Sequence, residues 1–329
     1  MKTHMYLSAW MLLVCLFQAR AQDPEFTQFF AAPVYINPAF AGAAVEGRVT
    51  LNYRNQWPPL PGTFRTFAGS YDEQHDKLGG GLGLMAMQDK AGDGLLTTTT
   101  FSGVYSYLIP VSRYFNIRAG IEAQYFQRSI EFDKLKFGDQ IVPKKGFVKP
   151  TAEPNPNRSI GIPNFAAGFL GYTERFYVGL AIHNLTEPNQ SFYKTPGSNL
   201  PRRYTVHGGT TIRLGKNGSM QTAICPNVLL MKQQEFTQVN LGFYLNHGPL
   251  ITGLWFRQTG TNPDAAVVLA GFQKDRFRFC YSYDLTVSSG RQAMQGAHEI
   301  SAAIQWRKPY HKKKYGELQC PMQGMYWRR

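Results

Sequence analysis

Period-two alternation of apolar and polar side chains recurs about fourteen times along this chain, and it restricts the fold more than any other feature. The cleanest case runs from Phe277 to Val287. There Phe277, Phe279, Tyr281, Tyr283, Leu285 and Val287 oppose Arg278, Cys280, Ser282, Asp284 and Thr286. Val49, Leu51, Tyr53 and Trp57 likewise oppose Thr50, Asn52, Arg54 and Gln56. In a strand, alternate side chains point to opposite faces, so each segment carries one apolar, aromatic face and one polar face. Such segments lie near 47–57, 63–72, 80–88, 96–108, 115–128, 164–172, 176–184, 203–214, 220–231, 236–245, 250–257, 265–272, 277–286 and 297–306.

A soluble sandwich also alternates, but two features point elsewhere. Each segment has the ~9–13 residues that a tilted strand needs to cross a bilayer. The connectors also alternate in length, and the two longest, 129–163 and 185–202, fall on the same side. Long outer loops and short inner turns belong to outer-membrane barrels. Composition agrees: charged residues are 17% and aromatics 14% of the chain, against about 25% charged in ordinary soluble domains. In lipid every backbone donor and acceptor must be satisfied, so the sheet has to close on itself. The expected fold is therefore all-β: a transmembrane outer-membrane barrel of about fourteen antiparallel strands. Trp57, Tyr107, Tyr114, Tyr125, Tyr172, Trp255 and Trp306 are expected to form interfacial girdles.

Residues 1–21 read as a removable leader, with Lys2, an apolar core from Met11 to Phe17 and a final Ala19-Arg20-Ala21. Its loss takes Lys2 and Arg20, so the net charge falls from +14 to +12. The next stretch, 22–46, is apolar yet fits neither regular element. Pro24, Pro33 and Pro38 each remove a donor and push the preceding residue out of the helical region. Phe26, Phe29, Phe30, Tyr35 and Phe40 call for burial, with Gln28 among them. The expectation is a segment at or in the periplasmic mouth of a barrel spanning 47–307. Pro33 and Pro38 would set its bends, Asn37 would cap a turn, and Gly42 would lead into the first strand. The same side chains would alternatively serve as a docking strip for a periplasmic partner. Residues 308–329 form a basic tail including Lys312, Lys313 and Lys314, expected in the periplasm against an acidic partner surface.

Charges on the polar faces, namely Arg54, Arg118, Glu122, Arg213, Arg257, Arg278, Asp284 and Glu299, are expected to fill the lumen as salt-bridged ladders or to set selectivity. Nothing points to chemistry. Gly79-Gly80-Gly81-Leu82-Gly83 lacks the helix and lysine of a phosphate loop, so close packing or bending is expected there. Asp89 to Gly94 lacks calcium-ligand spacing. Ser282, His207 and Asp284 would be an arbitrary triad. No enzyme activity, cofactor or metal is expected. Cys225, Cys280 and Cys320 form no C-x-x-C, and a Cys225–Cys280 disulfide is one open pairing. Positive charge concentrates in a loop and the tail without interleaved aromatics, which argues against nucleic acid.

The opening residues Gln22-Asp23-Pro24-Glu25-Phe26-Thr27-Gln28, then Phe29-Phe30, then Asn37-Pro38-Ala39-Phe40-Ala41-Gly42 resemble the mature start of the PorP/SprF family of the Bacteroidetes type IX secretion system. Tyr53-Arg54-Asn55-Gln56-Trp57 and Phe67 to Asp72 are similar to that family too. The tail through Cys320-Pro321 departs from the pattern. The resemblance implies a multi-pass outer-membrane component of secretion, gliding or adhesin display. Its partners would be periplasmic ring and motor proteins and a cargo or adhesin with a C-terminal sorting domain. The competing expectation is a channel or transporter for solutes or hydrophobic molecules.

Overall fold

The structure is a computed structural model. It describes residues 23–44, 47–58, 60, 62–92, 94–154, 158–214, 222–260, 262–288, 296–306, 318 and 320–323. The leader expected over 1–21 and the tail residues Lys312, Lys313 and Lys314 lie outside the described residues.

Fourteen strands follow one another: β1 (Gly47–Gln56), β2 (Phe64–His75), β3 (Gly80–Ala91), β4 (Leu96–Pro110), β5 (Asn116–Ile130), β6 (Ser159–Tyr172) and β7 (Phe176–His183). Next come β8 (Arg203–Thr210, continued by Ile212–Leu214), β9 (Thr222–Gln233), β10 (Phe236–His247), β11 (Leu250–Thr259), β12 (Asn262–Lys274), β13 (Phe277–Thr286) and β14 (Ala297–Trp306). Each pairs antiparallel with its sequence neighbours. The sheet closes where β1 meets β14, from Gly47 opposite Trp306 to Gln56 opposite Ala297. No edge is left along that seam, as a lipid-embedded sheet requires.

Proline marks the irregular points. β8 breaks at Thr211, and Pro226 of β9, which has no donor to give, falls opposite the break. Pro263 sits where the β11–β12 register shifts at Arg257/Gln258, a position at which a missing donor is tolerated. The two longest connectors, 131–158 and 184–202, leave the same end of the barrel; the first contains a two-residue hairpin, Ile141–Val142 with Gly146–Phe147.

The barrel is inverted relative to a soluble protein. Along β13, Phe277, Phe279, Tyr281 and Leu285 are exposed while Arg278, Cys280, Ser282 and Asp284 are buried. Leu51, Leu84, Phe101, Ile121, Phe169, Val178, Leu254 and Val268 extend the exposed apolar belt around the wall. A contiguous apolar surface of this kind belongs in hydrocarbon. Tyr107, Tyr114 and Tyr125 stand outward. Tyr172 and Trp255 do not: both are buried in the lumen, which corrects their assignment to the girdles. Trp255 is two residues from inward-facing Arg257, so strand parity places it inside.

Candidate functional site

Residues 23–44 thread the lumen. Proline keeps them from any long helix, and the segment is built from single turns: a 3₁₀ turn at Phe29–Ala31, one α turn at Pro33–Ile36 and a 3₁₀ turn at Pro38–Phe40. Pro33 and Pro38 each open a turn, where the missing N–H is not needed. Asn37 caps the last one, its Oδ1 accepting from Ala39 N at 2.9 Å.

The segment is not confined to the short-turn mouth, which corrects the expected placement. Its start lies in the long-loop half. Asp23 pairs with Arg203 at 3.3 Å and accepts from Asn184 Nδ2 at 3.0 Å. Its end lies at the short-turn end, where Gly42 N donates to Asp72 Oδ2 at 2.9 Å and Asp72 is held by Arg48 at 2.8 Å.

Between these ends a charged cluster grips Thr27 and Gln28. Glu299 accepts from the backbone N–H of both, at 2.7 and 2.9 Å. Thr27 Oγ1 donates to Asp284 at 2.7 Å and accepts from Arg54 and Arg257. Arg54 pairs with Asp284 and Glu299 at 3.0 and 3.2 Å, and Arg257 with Asp284 at 2.9 Å. The Gln28 amide donates to Ser282 Oγ and the Glu299 carbonyl, both at 3.0 Å, and accepts from Ser301 Oγ at 2.6 Å. Every polar group of this buried glutamine side chain is thereby satisfied.

Aromatic contacts continue the grip. Phe29 meets Trp255 edge-on at 4.9 Å between centroids, Phe30 meets Tyr244 at 4.4 Å, and Arg278 stacks over Phe30 at 5.3 Å. Phe26 packs on Tyr35, which lies under Arg203. Phe40 stacks on His207 at 5.1 Å. Phe26, Phe29, Phe30 and Phe40 are all at or below 1% exposed, so they present no apolar strip on a surface.

The segment's second half meets the wall through backbone. Asn37 Nδ2 donates to the carbonyls of Phe169 and Leu180 at 3.0 and 3.1 Å and contacts His207 Nε2 at 3.1 Å. His183 Nε2 contacts the Ile36 carbonyl at 3.1 Å. Arg118 donates to the Ala41 and Gly42 carbonyls at 3.0 and 3.1 Å and to Gln74 at 2.6 Å. This approach needs missing side chains. A Cβ on Gly120 would stand 2.3 Å from Ala39 N, and one on Gly81 2.2 Å from the Ala41 carbonyl oxygen.

Other expected residues fall out as follows. Arg54, Arg118, Glu122, Arg257, Arg278, Asp284 and Glu299 are buried in the lumen. Arg213 is not: it lies opposite Ala223 at the strand end and is exposed, because the barrel gives no cover there. Ser282, His207 and Asp284 are each held by different partners, Gln28, Asn37 and the Arg54–Thr27 cluster respectively. The three described cysteines are free. Cys225 and Cys280 stand on β9 and β13, four strands apart, roughly 20 Å at ~4.8 Å per strand and beyond disulfide reach.

The tail is not wholly free. Leu318, Cys320 and Met322 are buried in the same core as Phe29 and Phe40, and Cys320 N donates to the Ala43 carbonyl at 3.5 Å. Burial pushes the Cys320 thiol up to about 12. Arg48, Asp72, Arg203, His183 and His207 complete the site. Strand parity with Arg54 marks Arg48, and parity with Arg203 against outward Tyr204 and Val206 marks His207, as outward Phe176, Val178 and Leu180 mark His183.

These features define an outer-membrane β-barrel whose lumen is occupied by its own N-terminal segment. The chain belongs to the PorP/SprF family, described as type IX secretion system membrane protein PorP/SprF, which it matches over residues 18–304. Among curated proteins none matches. Solved structures similar to it include the Acinetobacter baumannii outer membrane protein Omp33, at 7% identity, covering 80% of this chain and 100% of that one, with a TM-score of 0.45. A Pseudomonas aeruginosa FadL homologue matches at 14% identity, covering 84% and 94%, with a TM-score of 0.44. The KdgM porin matches at 11% identity, covering 79% and 99%, with a TM-score of 0.37. The protein is located in the bacterial outer membrane.

Proposed function

We propose that this barrel is a non-enzymatic scaffold of type IX secretion, supporting release or surface display of cargo and adhesins, including those of gliding. It contacts periplasmic ring and motor components at its short-turn end, the end that faces the periplasm in barrels of this kind. The basic run through Lys312, Lys313 and Lys314 meets an acidic surface there. Cargo carrying a C-terminal sorting domain is served from the long-loop end.

The observation that carries this reading is the occupied lumen. A segment hydrogen-bonded to buried ion pairs of the wall and seated by its backbone on glycines suits a fixed scaffold better than a conduit. Two measurements test it. Purified mature protein in a planar bilayer should give no large steady conductance; such a conductance would favour the channel reading instead. A pull-down from native membranes should recover periplasmic ring proteins. Reversing charge at Lys312, Lys313 and Lys314 should reduce that recovery while leaving the Leu318–Met322 anchor in place. Undiminished recovery would remove the tail from the interface.

A further inference from the structure

Above the threaded segment, at the long-loop end, the lumen keeps a cavity of about 730 Å³, within the size range of small-ligand sites. Asp23, Glu25 and Tyr35 form its floor, and Gln190 and Leu200 of the 184–202 connector rim it. On its β3–β5 side Met85, Met87 and Phe126, each buried, stand among polar neighbours that include Asp89, Thr100, Gln124 and Arg128.

Glu122 of β5 lines the same cavity. It lies opposite Val104 of β4 and Ala166 of β6 and is 2% exposed. Its Oε1 has no hydrogen-bond partner; the Ser102 and Gln124 side chains contact the carboxyl and Arg203 acts on it from a distance, but no ion pair closes on it among the described residues. The other deeply buried carboxylates differ. Asp72 has Arg48, Asp284 has Arg54 and Arg257, and Glu299 has Arg54. Arg203, on the same lumen wall, is engaged by Asp23 and Tyr35. Glu25 on the floor accepts only from the neutral amides of Gln238 and Asn240 among its described contacts.

A buried carboxylate with no close ion pair is costly, and it is neutralised either by a proton or by a cation brought from outside. Thioethers and a phenyl face suit the apolar stem of such a cation, and the phenyl face also attracts the charge itself. We infer that this vestibule binds an organic cation, an ammonium or guanidinium on an apolar stem. Glu122 takes the charge, and Met85, Met87 and Phe126 take the stem. The cation is carried either by a free small molecule or by a lysine or arginine side chain of a polypeptide entering between the long loops.

The test is calorimetric titration of the mature barrel in nanodiscs with three molecules of one shape: phenethylamine, phenethyl alcohol and phenylacetate. The amine should bind at least about tenfold more tightly than the alcohol, the range of a hydrogen bond to a charged group, and phenylacetate should bind most weakly. Glu122→Gln should erase the preference for the amine and leave the alcohol unchanged. A second arm compares an acetylated Leu-Arg-Leu amide with its citrulline counterpart. Tighter binding of the arginine peptide than of the free amine assigns the cation to a polypeptide; the reverse assigns it to a small molecule. Equal affinity for amine and alcohol in the wild-type barrel overturns the inference without any variant. So does a Glu122→Gln barrel that keeps the preference. Either result would leave the secretion reading standing.

Discussion

On one side of the lumen, β3, β5, β6 and β7 meet residues 37–42 with glycines. On the other, β1, β10, β11, β13 and β14 meet residues 25–30 with charged and aromatic side chains. The first wall holds the segment by shape. Gly81 and Gly120 let backbone, and Gly168 the Asn37 amide, come within distances that no Cβ would allow, while Gly179 makes the same room for the His207 ring beside Asn37, and Asn37 and Arg118 then tie the carbonyls. The second wall holds it by partners, Glu299, Asp284, Arg54 and Arg257 around Thr27, and Trp255 and Tyr244 against the phenylalanines. The two walls therefore fail in opposite ways. A shape-holding wall tolerates loss but not addition; a partner-holding wall loses strength one group at a time.

The largest effect is expected on the glycine wall. Gly120→Val puts side-chain atoms onto Ala39 N and the Pro38 carbonyl carbon, which are backbone and cannot rotate away. Overpacking usually costs about 1–3 kcal/mol when side chains can adjust, and more where they cannot. The barrel's own ladders are untouched, so the protein should still fold. The segment should fail to seat, and a steady conductance absent from the wild type should appear. A closed Gly120→Val barrel would show that shape does not hold this half.

On the other wall, Phe29→Ala removes a fully buried ring from Trp255. The expected loss is about 3–5 kcal/mol from the seated state, read as faster protease cutting within 23–44. Glu299→Gln should do less, about 1.5–3 kcal/mol, the worth of hydrogen bonds to a charged group, since Asp284 still holds Thr27. If Glu299→Gln unseats the segment as fully as Gly120→Val, the proposed division between the walls is wrong.

The strands were legible in the sequence because lipid outside and charge inside make period two strict. Their ends were less so. Pairing runs on past the apolar belt, to Ala91 in β3 and Ile130 in β5, where both faces are polar and alternation carries no signal. β6 begins at Ser159, before Pro163; the proline suggests a later start, but Pro163 lies beyond the last residue paired to β7 and needs only β5 as a neighbour. That Gln22–Gly42 wants burial was readable from its phenylalanines and prolines. How deep it runs was not. Depth is set by glycines on four strands at positions 81, 120, 168 and 179, and no local pattern ties these to Ala39 or Asn37. Cys320 was opaque for the same reason: its partner, Ala43, is a backbone carbonyl almost the whole chain away.

The smallest expected effect concerns that C-terminal closure, and it reports on both walls at once. Cys320 is fully buried beside the last residues of the threaded segment, and burial pushes its thiol up to about 12. A thiol whose pKa is raised on folding contributes stability that is complete below its unfolded value and lost as pH climbs toward the folded one. At pH 7–8 the group is therefore a neutral, packed thiol, and Cys320→Ser should change barrel stability by no more than about 1 kcal/mol. Reactivity is the sharper readout, because alkylation needs the thiolate and access. In a barrel carrying Cys225→Ala and Cys280→Ala, so that Cys320 is the remaining mature cysteine, maleimide labelling at pH 8 should be orders of magnitude slower than after denaturation. Adding Gly120→Val should speed it, since the carbonyl that Cys320 leans on moves with the segment. Adding Glu299→Gln should speed it less, because that substitution acts at the far end of the same segment. Equal labelling rates in all three backgrounds would mean that the tail closes the lumen independently of the N-terminal segment.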